Sequence, residues 1–392
     1  MGRDIKKACP ICGSKSLRSV FDIYEVPIYC NVLWDTKTQA LAAAKGDISL
    51  AFCSDCGHFF NAAFDPLQVD YTANYENSLH FSPRFNEYAQ GLADRLVKTY
   101  DLHDKDLIEI GCGKGDFLTL LCEKGNNRGI GFDRSYEPDR GEQAVKANIT
   151  FIQDFYGERY SDYPADFVCC RHVLEHIDGP VEFLRGLREW LGDRPDTVVY
   201  FEVPDALFTI RSLGIWDLIY EHCSYFTRRS LARAFQLAGF EVLALGESFG
   251  GQYLYIEVKP CENPEVPIFE DGLDMHELTQ HIDAFDASYR EKVETWRDRL
   301  RADGDRTVIW GGGSKGVTFL NVLQGAGVIE FAVDLNPYKH GKYLPGTGQK
   351  VIPPEALPGY APHRVIVMNP LYSDEISKSL QELDVRTEVV CV

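Results

Sequence analysis

An apolar stretch runs straight into three glycines at alternate positions in Leu107-Ile-Glu-Ile-Gly-Cys-Gly-Lys-Gly115, and a helical pattern starts near Asp116. Glycines so placed let the backbone turn sharply with no Cβ in the way. A strand, tight turn and helix in that order open a parallel α/β sheet, and the surrounding chain keeps the alternation. Strands are expected at Asp106–Ile110, Arg128–Asp133, Ile149–Gln153, Asp166–Cys170 and Thr197–Glu202. An antiparallel pair, about Phe240–Glu247 and Gln252–Val258, closes this part of the chain. The stretch Cys261-Glu-Asn-Pro-Glu-Val-Pro267 reads as a linker. Beyond it Leu278, Ile282, Phe285, Tyr289, Val293, Trp296 and Leu300 recur every three or four residues, the apolar stripe of one long helix. A second strand–glycine–helix start follows at Thr307-Val-Ile-Trp310, with shorter strands expected at Val328–Asp334, Arg364–Met368 and Glu388–Val392. The fold class is α/β, in more than one unit, because 392 residues exceed a single ordinary core.

Charge and composition narrow the partners. The 59 acidic side chains outnumber the 40 basic ones, for a net charge of −19. Such a chain has no general field for nucleic acid, and duplex DNA is not expected as a partner. No apolar run is long enough for a transmembrane helix, and the start Met1-Gly-Arg-Asp-Ile-Lys-Lys-Ala-Cys9 lacks the apolar core of a secretion signal. A cytoplasmic protein with no membrane partner is expected. Its 12 cysteines then point to metal ligation or core packing rather than to a disulfide framework.

Four of those cysteines form two tight pairs, Cys9-Pro-Ile-Cys12 and Cys53-Ser-Asp-Cys56. Each pair sets two thiolates on one turn, and two turns complete a tetrahedral shell for zinc. Gly13 and Gly57 follow the pairs, where the backbone must bend past a metal. The forty residues between the pairs exceed a ribbon spacing and are expected to form a folded insert in a turn-rich segment. Redox catalysis would need a βαβ context that this segment lacks. A four-cysteine site is closed to substrate, so Cys9, Cys12, Cys53 and Cys56 are expected to hold a structural zinc.

The spacing Gly111-x-Gly113-x-Gly115 differs from the dinucleotide fingerprint. Together with Glu109 in the strand, it resembles the first motif of class I S-adenosylmethionine-dependent methyltransferases. That resemblance implies a cofactor site at Glu109, Gly111, Gly113 and Gly115. Asp133 ends the next strand, where a carboxylate reaches ribose hydroxyls, and Asp154 follows the third strand at the adenine edge.

Two histidine segments lie downstream. Val168-Cys-Cys-Arg-His-Val-Leu-Glu-His176 brings His172 and His176 to the end of the fourth strand, where open α/β sheets place ligands. Ile219-Tyr-Glu-His-Cys-Ser-Tyr-Phe226 groups Tyr220, Glu221 and His222 among aromatics that exclude water. The alternative for the second segment is a buried, hydrogen-bonded His–Glu pair of purely structural value. Near the C-terminus, Trp310-Gly-Gly-Gly-Ser-Lys-Gly316 satisfies G-x-G-x-x-G through Gly311, Gly313 and Gly316, and Asp334 ends the following strand. This reads as a nucleotide turn with phosphate at a helix N-terminus, with Lys315 beside it and Lys339 and Lys342 near the same edge. The alternative is a turn that serves the fold and binds nothing.

The combination resembles the three-domain, zinc-containing sugar C-methyltransferases of deoxysugar biosynthesis over nearly the whole chain. Cys9, Cys12, Cys53 and Cys56 match a zinc domain, Glu109 to Gly115 a class I methyltransferase core, and Gly312–Gly316, Asp334-Leu-Asn-Pro337 and Gly341–Gly346 a Rossmann-like C-terminal domain. The resemblance implies domains at residues 1–70, 71–262 and 263–392, with Gly313, Lys315, Gly316 and Asp334 binding a nucleotide-linked sugar. It implies an active site drawn from Tyr75, His176, Tyr220, Glu221 and His222. In that reading His222 or His176 removes a proton beside a ketone, Glu221 orients the base, and Tyr220 or Tyr75 serves the enolate. The Tyr-Glu-His run is one residue shorter than the family pattern, and Val26-Pro-Ile-Tyr-Cys-Asn31 departs from the family's segment. An O- or N-methyltransferase of another small metabolite, and a non-catalytic binding protein with a vestigial site, are the alternatives.

Overall fold

The computed structural model describes residues 5–70, 74–138, 148–264, 275–302, 306–324 and 329–392. The expected linker leaves the described residues at Glu265, and Val328, expected to start a strand, also lies outside them.

The central sheet has seven strands in the order β10-β11-β8-β7-β4-β5-β6. These are β4 (Asp106–Ile110), β5 (Arg128–Phe132), β6 (Ile149–Ile152), β7 (Phe167–Arg171), β8 (Val198–Pro204), β10 (Phe240–Ser248) and β11 (Tyr253–Pro260). Strands β4 to β8 run parallel, and β10 and β11 close the edge antiparallel. Their residues are buried on both faces, as in Leu107, Ile108, Phe167, Val168, Val199 and Phe201, because helices cover the parallel strands on either side. The strand order reverses between β4 and β7, so the connections leaving their C-terminal ends diverge and open a crevice. The expected strands agree with the observed ones to within two residues.

The C-terminal sheet is wholly parallel, in the order β14-β13-β12-β15-β16. It comprises β12 (Thr307–Trp310), β13 (Ile329–Val333), β14 (Lys350–Ile352), β15 (Arg364–Val367) and β16 (Glu388–Cys391). Its order reverses between β12 and β15, which opens a second crevice beside the second glycine turn.

The forty residues between the cysteine pairs form the expected folded insert. They hold β1 (Leu17–Pro27) and β2 (Lys45–Cys53), which with β3 (Phe59–Asn61) and β9 (Ser224–Tyr225) make an antiparallel sheet ordered β1-β2-β3-β9. Strand β9 comes from the segment that follows His222, so the N-terminal sheet is completed from beyond residue 200. The long helix Met275–Ala302 packs on β1, and every residue of its stripe is at most 6% exposed. Phe285 meets Phe21 edge-on at 5.8 Å. One apolar cluster therefore runs through Phe21 and Ile48, Trp216 and Tyr225, and Phe285 and Phe319. It joins the N-terminal and C-terminal sheets to the segment that follows β8. Among the described residues no helix is long and apolar enough to cross a membrane.

Candidate active site

The two cysteine turns are built alike. The amides of Gly13 and Gly57 donate to the carbonyls of Cys9 and Cys53, both at 2.9 Å, and both glycines are left-handed, at φ 70° and 76°. The turns face each other, with Sγ–Sγ distances of 3.5 Å for Cys9–Cys56 and 3.6 Å for Cys12–Cys53. All four sulfurs lie within 4.8 Å of one another. Tetrahedral Zn–S bonds of about 2.3 Å put sulfurs about 3.8 Å apart, close to the spacing found. Hydrogen bonding from Cys56 favours the thiolate on Cys9, against burial. None of the four lines the large cleft described next.

That cleft, of about 340 Å³, lies where the C-terminal ends of the two parallel sheets face each other. Gly111 and Gly113 line one wall and Gly115 does not, and all three are left-handed, at φ 70°, 55° and 89°. A Cβ on Gly111 would stand 2.2 Å from Val173, and one on Gly115 2.4 Å from Phe151. A Cβ on Gly113 would meet nothing nearer than Asn77 Oδ1 at 3.9 Å, so this glycine keeps an open cradle. Glu109 lines the cleft and accepts the Leu118 amide at 3.0 Å. Burial raises its carboxyl to about 7 against the opposing charge of Arg171. Asp133 braces the turn, accepting Gly113 N–H at 2.8 Å through Oδ2 and both the amide and hydroxyl of Ser135 at 2.7 Å through Oδ1. Asp154 is placed outside the cleft wall. Its carboxylate accepts from the Tyr160 hydroxyl at 2.6 Å, the Phe155 amide at 2.8 Å and the Arg159 guanidinium, and the Tyr160 bond lowers its pKa first among these.

The opposite wall repeats the device. Gly312 N–H donates to Asp334 Oδ2 at 2.9 Å, as Gly113 does to Asp133. Buried Lys339 completes the brace, 3.2 Å from the same oxygen. Gly313, Lys315 and Gly316 line the cleft, and Lys315 pairs with Asp217 from the central unit. Gly316 has a packing reason of its own: a Cβ there would fall 2.0 Å from the Gly311 carbonyl. The walls are tied by a reciprocal amide pair, Gln252 with Asn369 at 2.9 and 3.0 Å, and by Glu375, which accepts Ser82 Oγ and Arg84 N–H at the start of helix Pro83–Tyr100.

Three histidines line the floor. His172 sits in the left-handed region at φ 56°, with Nε2 3.1 Å from Glu202 and Nδ1 3.7 Å from Glu175. Burial opposes its charge, yet the two carboxylates prevail and raise its pKa to about 9. His176 and His222 meet edge to face at 4.9 Å. Burial lowers both pKa values, that of His222 well below the usual range, with the charges of His176, His172 and Lys315 adding to the effect. His176 Nδ1 lies 3.0 Å from the Glu221 carbonyl oxygen. A carbonyl only accepts, so Nδ1 carries the proton and Nε2 the lone pair.

Glu221 and its neighbours divide. The Glu221 carboxyl accepts the Cys30 amide at 2.8 Å. Burial raises it to about 7, against the pull of that amide and of the Tyr75 hydroxyl. Tyr75 lines the cleft, and its hydroxyl accepts from Asn31 Nδ2 at 3.3 Å. Tyr220 is not brought to the cleft: its hydroxyl accepts the Asp65 amide at 3.0 Å and its ring packs on Phe64. The structure thus gathers Tyr75, His176 and His222, sets the Glu221 side chain on Cys30, and sends Tyr220 elsewhere. Asn31, Glu175 and Glu202 were not singled out from sequence. Glu202 is the one charged residue within the otherwise apolar strand β8, a visible signal; Asn31 and Glu175 give none.

Comparison with known proteins agrees with this arrangement. Residues 81–245 match a methyltransferase domain, and residues 270–390 match the C-methyltransferase C-terminal domain. The chain is 25% identical to C-methyltransferase NovU of Streptomyces niveus, over 95% of this chain and 92% of that one. Among solved structures, magnesium protoporphyrin IX methyltransferase of Synechocystis PCC 6803 is similar at 17% identity and a TM-score of 0.35, covering 45% of this chain and 84% of that one. The riboflavin-derivative dimethyltransferase RosA of Streptomyces davawensis is similar at 20% identity and a TM-score of 0.35, covering 45% and 56%. The chain thus carries the two matched domains, is similar to a C-methyltransferase over nearly its whole length, and is an S-adenosylmethionine-dependent methyltransferase.

Proposed function

We propose that this enzyme methylates the carbon beside the ketone of a nucleotide-linked keto sugar. The observation that carries the reading is the pair His176 and His222, kept neutral by burial between a methyltransferase glycine turn and a second glycine turn with a lysine. When bound, S-adenosylmethionine supplies an electrophilic methyl group, so the protein's task is to make and aim a nucleophile. Glu109, Gly111 and Gly113 hold the cofactor, with Asp133 fixing the turn. A neutral imidazole of the pair takes the carbon proton, and the electron pair left behind is delocalised onto the ketone oxygen. Tyr75 replaces Tyr220 as the phenol for that oxygen, since only Tyr75 lines the cleft. The nucleotide diphosphate is assigned to Gly313, Lys315 and Gly316 at the start of helix Ser314–Val322. Asp334 braces this turn and lines the same cleft, beside the diphosphate assigned to it. Residues 1–70, 71–262 and 263–392 are assigned to zinc binding, methyl transfer and substrate binding.

A structural zinc on Cys9, Cys12, Cys53 and Cys56 is part of the same proposal. Purified enzyme is expected to carry about one zinc per chain by elemental analysis, and Cys53→Ser to lose metal and thermal stability together. A metal-free enzyme of unchanged stability would contradict it.

Asp133→Ala frees the Gly113 amide and removes a carboxylate beside the cofactor turn. Calorimetry is expected to show S-adenosylmethionine binding weakened by about 1–3 kcal/mol. Unchanged affinity would place the cofactor elsewhere.

The enolate is tested by solvent exchange. In heavy water, with S-adenosylhomocysteine present, the enzyme is expected to wash deuterium into the carbon beside the ketone. His222→Ala or His176→Ala should abolish the exchange and leave cofactor affinity intact. The base must be neutral, so kcat/KM falls as pH drops through its pKa. Because burial holds that pKa below 6.5, the acid limb should lie below pH 6.5. Exchange that survives both substitutions overturns the assignment of the base.

A further inference from the structure

We infer that Glu175, rather than Glu221, is the positioning carboxylate of the histidine pair: it holds the imidazolium that forms when the pair takes the substrate's carbon proton. The inference rests on the enolate reading above. Its geometry is independent of any substrate. A carboxylate oxygen of Glu175 and one ring nitrogen each of His176 and His222 lie within 4.8 Å of one another. Glu175 is 1% exposed and yet lines the cleft. Two atoms of this group, Glu175 Oε2 and His222 Nδ1, are buried without a hydrogen-bond partner. Buried polar atoms are rarely left unpaired, and a carboxylate beside an imidazole acquires its partner once the ring is protonated. Glu221 is unsuited to the task, because its carboxyl is turned to the Cys30 amide and only its backbone oxygen reaches His176.

The charged and titratable groups facing Glu175 fit the role. His172 from the end of β7 lies 3.7 Å from Oε1, and His172 is itself held by Glu202, which pairs with Arg171. His176, in the same turn, is drawn toward its charged form by Glu175. Buried Cys170 lies within the field of Glu175 and stays a thiol. Lys315, from the opposite wall, acts on His222 and opposes its protonation. A proton entering the pair thus meets one carboxylate within reach, and that carboxylate is anchored from behind by His172. Because His176 and His222 touch, they titrate as a pair, and the single proton belongs to both.

The test compares wild type, Glu175→Gln and Glu175→Asp. Histidine-labelled enzyme is titrated by NMR without substrate, and all three enzymes are run in the exchange assay. Loss of a facing charge lowers an imidazole pKa by about 1 or more. The Gln variant should therefore show a lower titration midpoint for the pair, and the acid limb of kcat/KM should move down with it. Exchange and kcat should fall about tenfold to a hundredfold, with KM little changed, since a weaker base slows proton transfer and not binding. The Asp variant keeps the charge and should restore the midpoint and part of the rate. A histidine midpoint unmoved in the Gln variant overturns the inference, whatever the rate does. A second divalent metal per chain, absent from the Gln variant, also overturns it, because the three atoms would then be ligands. Absence of exchange in wild type would overturn the enolate reading instead, and the titration would still decide the role of Glu175.

Discussion

A fully buried carboxylate, Glu202, holds the cleft in its working form. It receives Arg171 through Nε and Nη2, at 3.1 and 2.9 Å, and the hydroxyls of Tyr88, Tyr200 and Ser248, while His172 stands 3.1 Å away. These partners come from β7, β8, β10 and the helix Pro83–Tyr100, so one ion joins the pieces that form the floor. Breaking such a pair from one side costs about 3–5 kcal/mol, because the remaining charge is left buried and alone. The pairing with Arg171 drives Glu202 well below the usual carboxylate range despite its burial. That negative charge in turn raises the pKa of His172, while burial lowers those of His176 and His222. Three neighbouring imidazoles are thereby shifted in opposite directions, His172 upward and His176 and His222 downward.

The two glycine turns share one backbone solution. Each ends a strand at a point where the sheet order reverses, and each is pinned by a carboxylate from the neighbouring strand. The first keeps an open cradle at Gly113. The second places Lys315 at the cleft, where it pairs with Asp217. In a chain of net charge −19, Lys315 and the start of helix Ser314–Val322 bring positive ends to this wall of the cleft. Lys339, buried on Asp334, serves the turn instead.

Much of the architecture was legible because burial imposes period and length. Residues Asp106–Ile110 and Thr307–Trp310 read as strands and are strands, and the stripe from Leu278 to Leu300 lies inward along its whole length. The cysteine pairs were legible for a similar reason, since a local turn dictates their spacing. The segment between them was not: β1 and β2 are partly exposed, one of their faces packs on a helix some 250 residues away, and β9 is too short to show a pattern. The site was legible by neighbourhood more than by atom. Tyr220 and Glu221 are adjacent in sequence yet turn to different partners, because Tyr220 completes the apolar floor of the N-terminal sheet while Glu221 is fixed by Cys30. Asp154 matched its expected place in the order of strands, but Tyr160 and Arg159 use its carboxylate locally. Glu175, Asn31 and Asp217 gain their meaning from contacts across the chain, which no local pattern encodes.

The central claim is that two buried, neutral histidines generate a carbon nucleophile in this cleft. The most direct measurement uses S-adenosylmethionine labelled with 13C in its methyl group and a nucleotide-linked 4-keto sugar uniformly labelled with 13C. The account predicts a product whose new methyl carbon shows a one-bond coupling to the ring carbon beside the ketone. A methyl group attached through oxygen or nitrogen, with no one-bond carbon coupling, would contradict it.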